Sequence, residues 1–219
     1  MPNTAQPAPT EPVLAARRLS CERDERLLFS DLALQLAPGE ALRIAGRNGS
    51  GKTTLMRGLV GLNIEVTGAV DWAETPSGAV PWLYVGHRPG ISAHLTVVEN
   101  LRFLAHLRDL DPDPAALAAA LEAVDLSAFD DSLGHQLSAG QQRRVLLALL
   151  YLPGLPRCWV LDEPFTALDR QGVAALEAHL RAHCEQGGSL LFSTHHEPAG
   201  FVYRTLQLDT QAAAAAEAG

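Results

Sequence analysis

The sequence predicts an α/β protein with a phosphate-binding loop and an inserted block of helices. Three features carry that prediction. Short apolar runs at 41–45, 82–85, 158–161 and 189–193 read as buried strands, and the last is a continuous run of the parallel-sheet type. The first of them leads directly into Gly46-Arg47-Asn48-Gly49-Ser50-Gly51-Lys52-Thr53, which fits G-x-x-x-x-G-K-[ST]. From residue 96 to about 152, strand signals give way to helical spacing.

In chain order, the proline-rich residues 1–12 read as a disordered tail. Residues 13–19 read as a first strand. The run Cys21-Glu22-Arg23-Asp24-Glu25-Arg26 is charged enough to predict an exposed turn or hairpin. Residues 32–36 alternate as a strand does, and Pro38-Gly39 turns the chain into the strand at 41–45. A helix is expected over 53–62, a short strand over 67–71 and a turn at 75–78. Thr96 with Glu99 forms a capping-box pattern for a helix carrying Val97, Val98, Leu101, Phe103, Leu104 and Leu107. Further helices are expected over 115–124, over 141–151 behind Ser138, and over 170–184, the last stopped by Gly187-Gly188. A last strand is expected over 201–208, followed by an alanine-rich tail at 209–219. The expected organisation is one folded domain over 13–208, with a helical subdomain inserted at about 88–156.

Bulk properties narrow the class. A formal net charge of −8, with no dense Lys/Arg run, argues against a nucleic-acid partner. No apolar run approaches the ~20 residues of a membrane span, so no direct membrane insertion is expected. The cysteines, Cys21, Cys158 and Cys184, have neither metal nor redox spacing and read as reduced packing residues.

Three stretches carry chemistry. In 46–53, glycines let the backbone N–H groups wrap a polyphosphate, and the helix that follows adds free N–H groups, Thr54 among those near its start. Lys52 supplies a point charge for the terminal phosphates, and the Thr53 hydroxyl is expected on Mg2+. In Val160-Leu161-Asp162-Glu163-Pro164, an apolar strand ends in two carboxylates, at the sheet edge where ligands collect. Asp162 is expected to hold Mg2+ and Glu163 to polarise an attacking water, its side chain on the other face of the strand end. Leu137-Ser138-Ala139-Gly140-Gln141-Gln142, taken alone, is a helix cap; it is also a second ready-made anion site.

The phosphate loop, then L-S-A-G-Q at 137–141, then L-D-E-P at 161–164, then Ala167-Leu168-Asp169, resembles the ATP-binding-cassette ATPase family in order and spacing over about 13–208. The resemblance implies a P-loop NTPase core with a mixed or parallel sheet, an N-terminal antiparallel part and an inserted helical subdomain. It implies ATP and Mg2+ as ligands. It further implies a head-to-tail homodimer in which Ser138, Ala139, Gly140 and Gln141 contact the nucleotide held by the partner copy, with Ala167, Leu168 and Asp169 at the dimer contact. His195 matches the family's switch histidine, which contacts the γ-phosphate and orients water. Two positions depart from the pattern. His87 stands where a glutamine usually contacts the metal, so it is a further candidate ligand. Arg23 falls closest to the usual adenine-stacking aromatic, and an arginine plane can stack on a base.

Within that family, Cys21-Glu22-Arg23-Asp24, Gly86-His87-Arg88-Pro89-Gly90 and the run 95–103 resemble the ATP-binding subunits of bacterial cytochrome c biogenesis haem export systems. This resemblance implies a peripheral subunit on the cytoplasmic face of the inner membrane, driving integral membrane partners. No residue of this chain is assigned to haem, since its eight histidines are scattered. Two alternatives share the hydrolytic residues and stay open: a soluble cassette ATPase without transport partners, and a cassette serving another small molecule. A small-molecule kinase leaves 138–141 unexplained and lacks an arginine-rich lid.

Overall fold

The computed structural model describes residues 11–75 and 78–208; the expected tails, apart from residues 11 and 12, and part of the turn at 75–78 lie outside the described residues. Strands β1 (Leu14–Arg23), β2 (Arg26–Leu36) and β4 (Thr67–Trp72) form an antiparallel sheet in the order β2-β1-β4. Strands β3 (Ala41–Ala45), β5 (Trp82–Val85), β6 (Cys158–Asp162), β7 (Ser189–Ser193) and β8 (Arg204–Gln207) form a second sheet, ordered β5-β6-β7-β3-β8, in which every pair is parallel.

The parallel sheet is covered on both sides, which explains its continuous apolar runs. Along β6, Cys158 and Val160 pack toward the antiparallel sheet and helix α1 (Lys52–Leu59). Trp159 and Leu161 pack the other way, toward helices α2 (Val97–His106), α3 (Pro114–Ala123), α4 (Ala139–Ala148) and α5 (Arg170–Glu185).

Local chemistry sets the helix ends. Thr96 caps α2 through the Glu99 N–H, and Glu99 returns the bond to the Thr96 N–H, completing the expected box; such a cap contributes about 1 kcal/mol. Asp113 caps α3, with Pro114 as its first residue. Helix α1 ends at Leu59, earlier than expected, with Gly61 at φ 72 accepting the left-handed turn. Helix α4 is likewise shorter than its apolar run: Leu149–Tyr151 tightens into a 3-10 turn.

Two expectations need correction. Cys21 lies inside β1 and is 2% exposed, because strand alternation turns it inward while its charged neighbours stay outside. The turn of that hairpin shrinks to Asp24 and Glu25, both at positive φ, as tight two-residue hairpin turns require. The last strand is only Arg204–Gln207, because β3, its partner among the described residues, offers Leu42–Ala45 for pairing.

One packing feature predicts a pH response. On α5, His179 stacks 3.8 Å from the Tyr151 ring, and its Nε2 donates to Leu150 O at 2.9 Å. His183 stacks 3.6 Å from Trp159, with its Nε2 donating to Arg157 O. Burial pushes both imidazoles below their ordinary value, outweighing those hydrogen bonds. Their folded pKa values thus lie below an unfolded value of about 6.5, so the stability they contribute is present above that pH and lost as pH falls through the folded values. The melting temperature is expected to drop between about pH 7 and pH 5. A His179→Gln, His183→Gln double variant should flatten that slope; an unchanged slope in differential scanning fluorimetry would refute the assignment.

Candidate functional site

The site is built where β3 and β6 end. Between them in the sheet runs β7, and its register sets Ser193 beside both Ile44 and Asp162. The loop 46–51 leaves β3 and enters α1. Gly51 sits at φ 95, and a Cβ there would lie 3.2 Å from the Leu28 Cβ, so neither backbone nor neighbours accept a larger residue. Lys52 is buried, and its Nζ donates to Gly46 O at 2.8 Å and Arg47 O at 3.1 Å, folding the ammonium across the loop.

Thr53 Oγ1 donates to Asp162 Oδ2 at 2.8 Å, and Ser193 Oγ donates to Asp162 Oδ1 at 2.7 Å. The Asp162 carboxylate is 1% exposed and gripped from both sides. Its neighbour Glu163 takes φ 51, a left-handed conformation that costs an L-residue about 1–2 kcal/mol. The Glu163 N–H donates to both the carbonyl and the hydroxyl of Ser193, at 3.2 and 3.0 Å. The His195 N–H donates to Glu163 Oε2 at 3.3 Å. Glu163 Oε1 is buried without a hydrogen bond, and His195 Nε2 stands 3.4 Å from it, too poorly aligned for one.

These residues border an open cleft of about 680 Å³, lined by Asn48, Gly49, Gly51, Lys52, Thr53, Thr54, Glu163, Thr166 and His195. Both departures from the expected pattern, His87 and Arg23, line it as well, with Asp24, Arg26 and Leu28. Arg47 and Ser50 border an adjoining recess that shares Arg26, Leu28, Asn48 and Gly49 with the cleft.

The loop at 137–141 does not line this cleft. Ser138 is exposed; its Oγ accepts from Gln141 N at 3.2 Å, and Gln141 Oε1 accepts from Ser138 N at 2.9 Å, a second capping box. Ala139 is exposed beside it. A Cβ on Gly140 would fall 2.9 Å from Ala167 O, so this loop packs directly against 167–169. There Ala167 is at φ 63, Leu168 packs into the helical core, and Asp169 caps α5 through the Gly172 N–H. The Gly172 bond, helped by Arg144 at 2.8 Å, holds the Asp169 carboxyl below its ordinary value.

A sequence model of the family described as ABC transporter matches residues 29–166. The chain belongs to the ABC transporter family. Relatives agree. Over 211 residues it is 50% identical to the Pseudomonas syringae pv. syringae protein named cytochrome c biogenesis ATP-binding export protein CcmA, covering 91% of this chain and 97% of that one. The Shigella sonnei protein of the same name is 47% identical over 189 residues, 84% of this chain and 89% of its own. A solved structure of the ATP-binding subunit of an ABC transporter superposes with a TM-score of 0.71 at 25% identity, covering 84% of this chain and 79% of that one.

As an ABC-family ATPase the chain binds and hydrolyses ATP, and the donor set in the cleft fits that ligand. Hydroxyl and carboxylate oxygens meet at Thr53 and Asp162, the hard donors that Mg2+ prefers alongside phosphate oxygens. Ser50 Oγ, within the loop, is buried without a partner. One residue beside the site lies outside the motifs. Arg143, in α4, is 3% exposed and reaches the backbone beside both His87 and Glu163. Burial lowers its pKa to about 10, against the opposing pull of Asp162 and Glu163, so it stays charged at neutral pH. The signal for it was its spacing: 143, 146, 147 and 150 share one helical face, and the other three are buried leucines.

Proposed function

We propose that this chain is the ATP-hydrolysing subunit of a membrane complex serving cytochrome c biogenesis, through haem export or release of a haem-loaded chaperone. The identity of 50% over nearly the whole length of a protein named for that process carries the reading. Among the described residues no helix is long and apolar enough to cross a membrane. The chain is thus read as a peripheral motor on the cytoplasmic face of the inner membrane, with the route for cargo in integral partners.

In this reading the N–H groups of 46–54 and Lys52 hold the ATP phosphates, and Arg23 flanks the base. Thr53 and Asp162 would hold Mg2+, with His87 as a further candidate ligand, and the ion would supply charge neutralisation for the phosphates. Glu163 takes a proton from the attacking water, its partnerless Oε1 being the free basic oxygen. His195, held beside it, orients that water and meets the γ-phosphate. Two copies pair head to tail, so that Ser138, Ala139, Gly140 and Gln141 close the partner's site and 167–169 meet at the contact. The exposure of Ser138 and its distance from the cleft of its own chain support that pairing.

Detergent extraction from native membranes tests the coupling. The chain is expected to co-purify with integral membrane proteins that stimulate its ATPase. Recovery of an active ATPase wholly in the soluble fraction, with no such proteins, would point to the cassette ATPase without transport partners.

A further inference from the structure

Arg143 is buried in the second turn of α4, among leucines, where an unpaired guanidinium would cost several kcal/mol. Four contacts meet that cost. Nη1 donates to Gly86 O at 2.8 Å and His87 O at 3.3 Å. Nη2 donates to Asp162 O at 3.0 Å and Glu163 O at 2.8 Å. Nε has no partner. All four acceptors are backbone carbonyls, and they belong to two segments that leave neighbouring parallel strands: β5 and β6 pair from Trp82↔Cys158 to Val85↔Leu161. Only a planar fork with donors on both nitrogens spans both segments at once.

The consequences differ at the two ends of the arginine. At one end, the carbonyls fix how His87 and Glu163 depart from the sheet. Glu163 needs this, since its left-handed backbone is not one it would hold by local preference. At the other end, Arg143 belongs to the helix capped by the exposed Ser138, which the proposed pairing sets against a second copy.

We propose that Arg143 is a positioning residue that sets the Glu163 and His87 backbone for hydrolysis and passes movement of helix α4 to them. The proposal rests on Glu163 acting on the attacking water. Arg143 does not line the cleft. It makes the loop that closes one site mechanically continuous with the hydrolytic residues of the other.

The test is steady-state ATPase kinetics of the full chain in its native complex, together with the affinity for a fluorescent ATP analogue and thermal melting. Arg143→Lys keeps the charge but has one nitrogen, which serves one pair of carbonyls. It is expected to lower kcat about 10-fold with KM and analogue affinity within about threefold. Arg143→Met fills the space without donors and should lower kcat about 100-fold with the same small change in KM. If a folded Arg143→Lys or Arg143→Met protein keeps the parent kcat, or if the loss appears in KM and analogue affinity instead, the proposal is overturned. Arg143→Lys decides the matter where Arg143→Met does not fold. Glu163→Gln in the same assay separates the two levels: parental turnover there overturns the reading of Glu163, whereas the Arg143 variants alone overturn only the positioning role.

Discussion

Glu163→Gln is expected to yield a protein that binds ATP as the parent does and hydrolyses it about 10²–10⁴-fold more slowly. The amide has the shape of the carboxylate, and its oxygen can still accept the His195 N–H that Oε2 accepts at 3.3 Å. The Ser193 bonds to the residue's N–H are backbone bonds and survive the change. What disappears is a basic oxygen, since an amide cannot take a proton from water at neutral pH. Loss should therefore fall on kcat, and ATP should be retained on the protein, holding two copies together. The check is release of phosphate against retention of labelled ATP in gel filtration. Turnover near the parental rate would remove Glu163 from the chemistry and leave His195 as the next candidate.

Ser138→Arg is expected to lower turnover about 100-fold while leaving ATP affinity of the isolated chain unchanged. The substitution removes the hydroxyl that caps α4, at a cost of about 1 kcal/mol, which a fold of this size tolerates. Because Ser138 does not line its own chain's cleft, the bulky guanidinium has no route to disturb nucleotide held there. Its effect would come where a second copy closes on the loop. Affinity by fluorescent nucleotide titration and ATPase rate, measured on one preparation, distinguish the outcomes. Full activity would refute a shared site; a parallel loss of affinity would mean that the loop acts within its own chain.

Much of this was legible in the sequence, and the parts that were share a cause. The strand Ala41–Ala45, the strand Ser189–Ser193 and the Thr96 and Ser138 caps depend on neighbours within a few residues, and they appear as expected. The phosphate loop is legible for the same reason. Cys21 was hidden by its charged flanks, because a strand reports burial at every second residue and not as a run. The Glu163 backbone at φ 51 has no glycine to announce it; it follows from the grip of Ser193, thirty positions on in sequence. Arg143 is hidden in a similar way. Its partners are carbonyls of 86, 87, 162 and 163, and carbonyls carry no sequence signature. What the pattern misses thus falls on long-range backbone contacts, while Asn48, Gly49, Gly51, Lys52, Thr53, Thr54, Glu163 and His195, expected from their motifs, line the cleft.

The near-contact of Gly140 with Ala167 O has a consequence for association. The two loops that each meet a second copy in the proposed pairing already pack against one another within the monomer. Their relative freedom is lost during folding, so little ordering remains for the encounter itself, and preorganisation of this kind strengthens binding without any added contact. An alanine at 140 would have to push the two loops apart by several tenths of an ångström. It would return that freedom to the unpaired chain, so that the deficit would show first as weaker pairing, with each folded monomer otherwise intact.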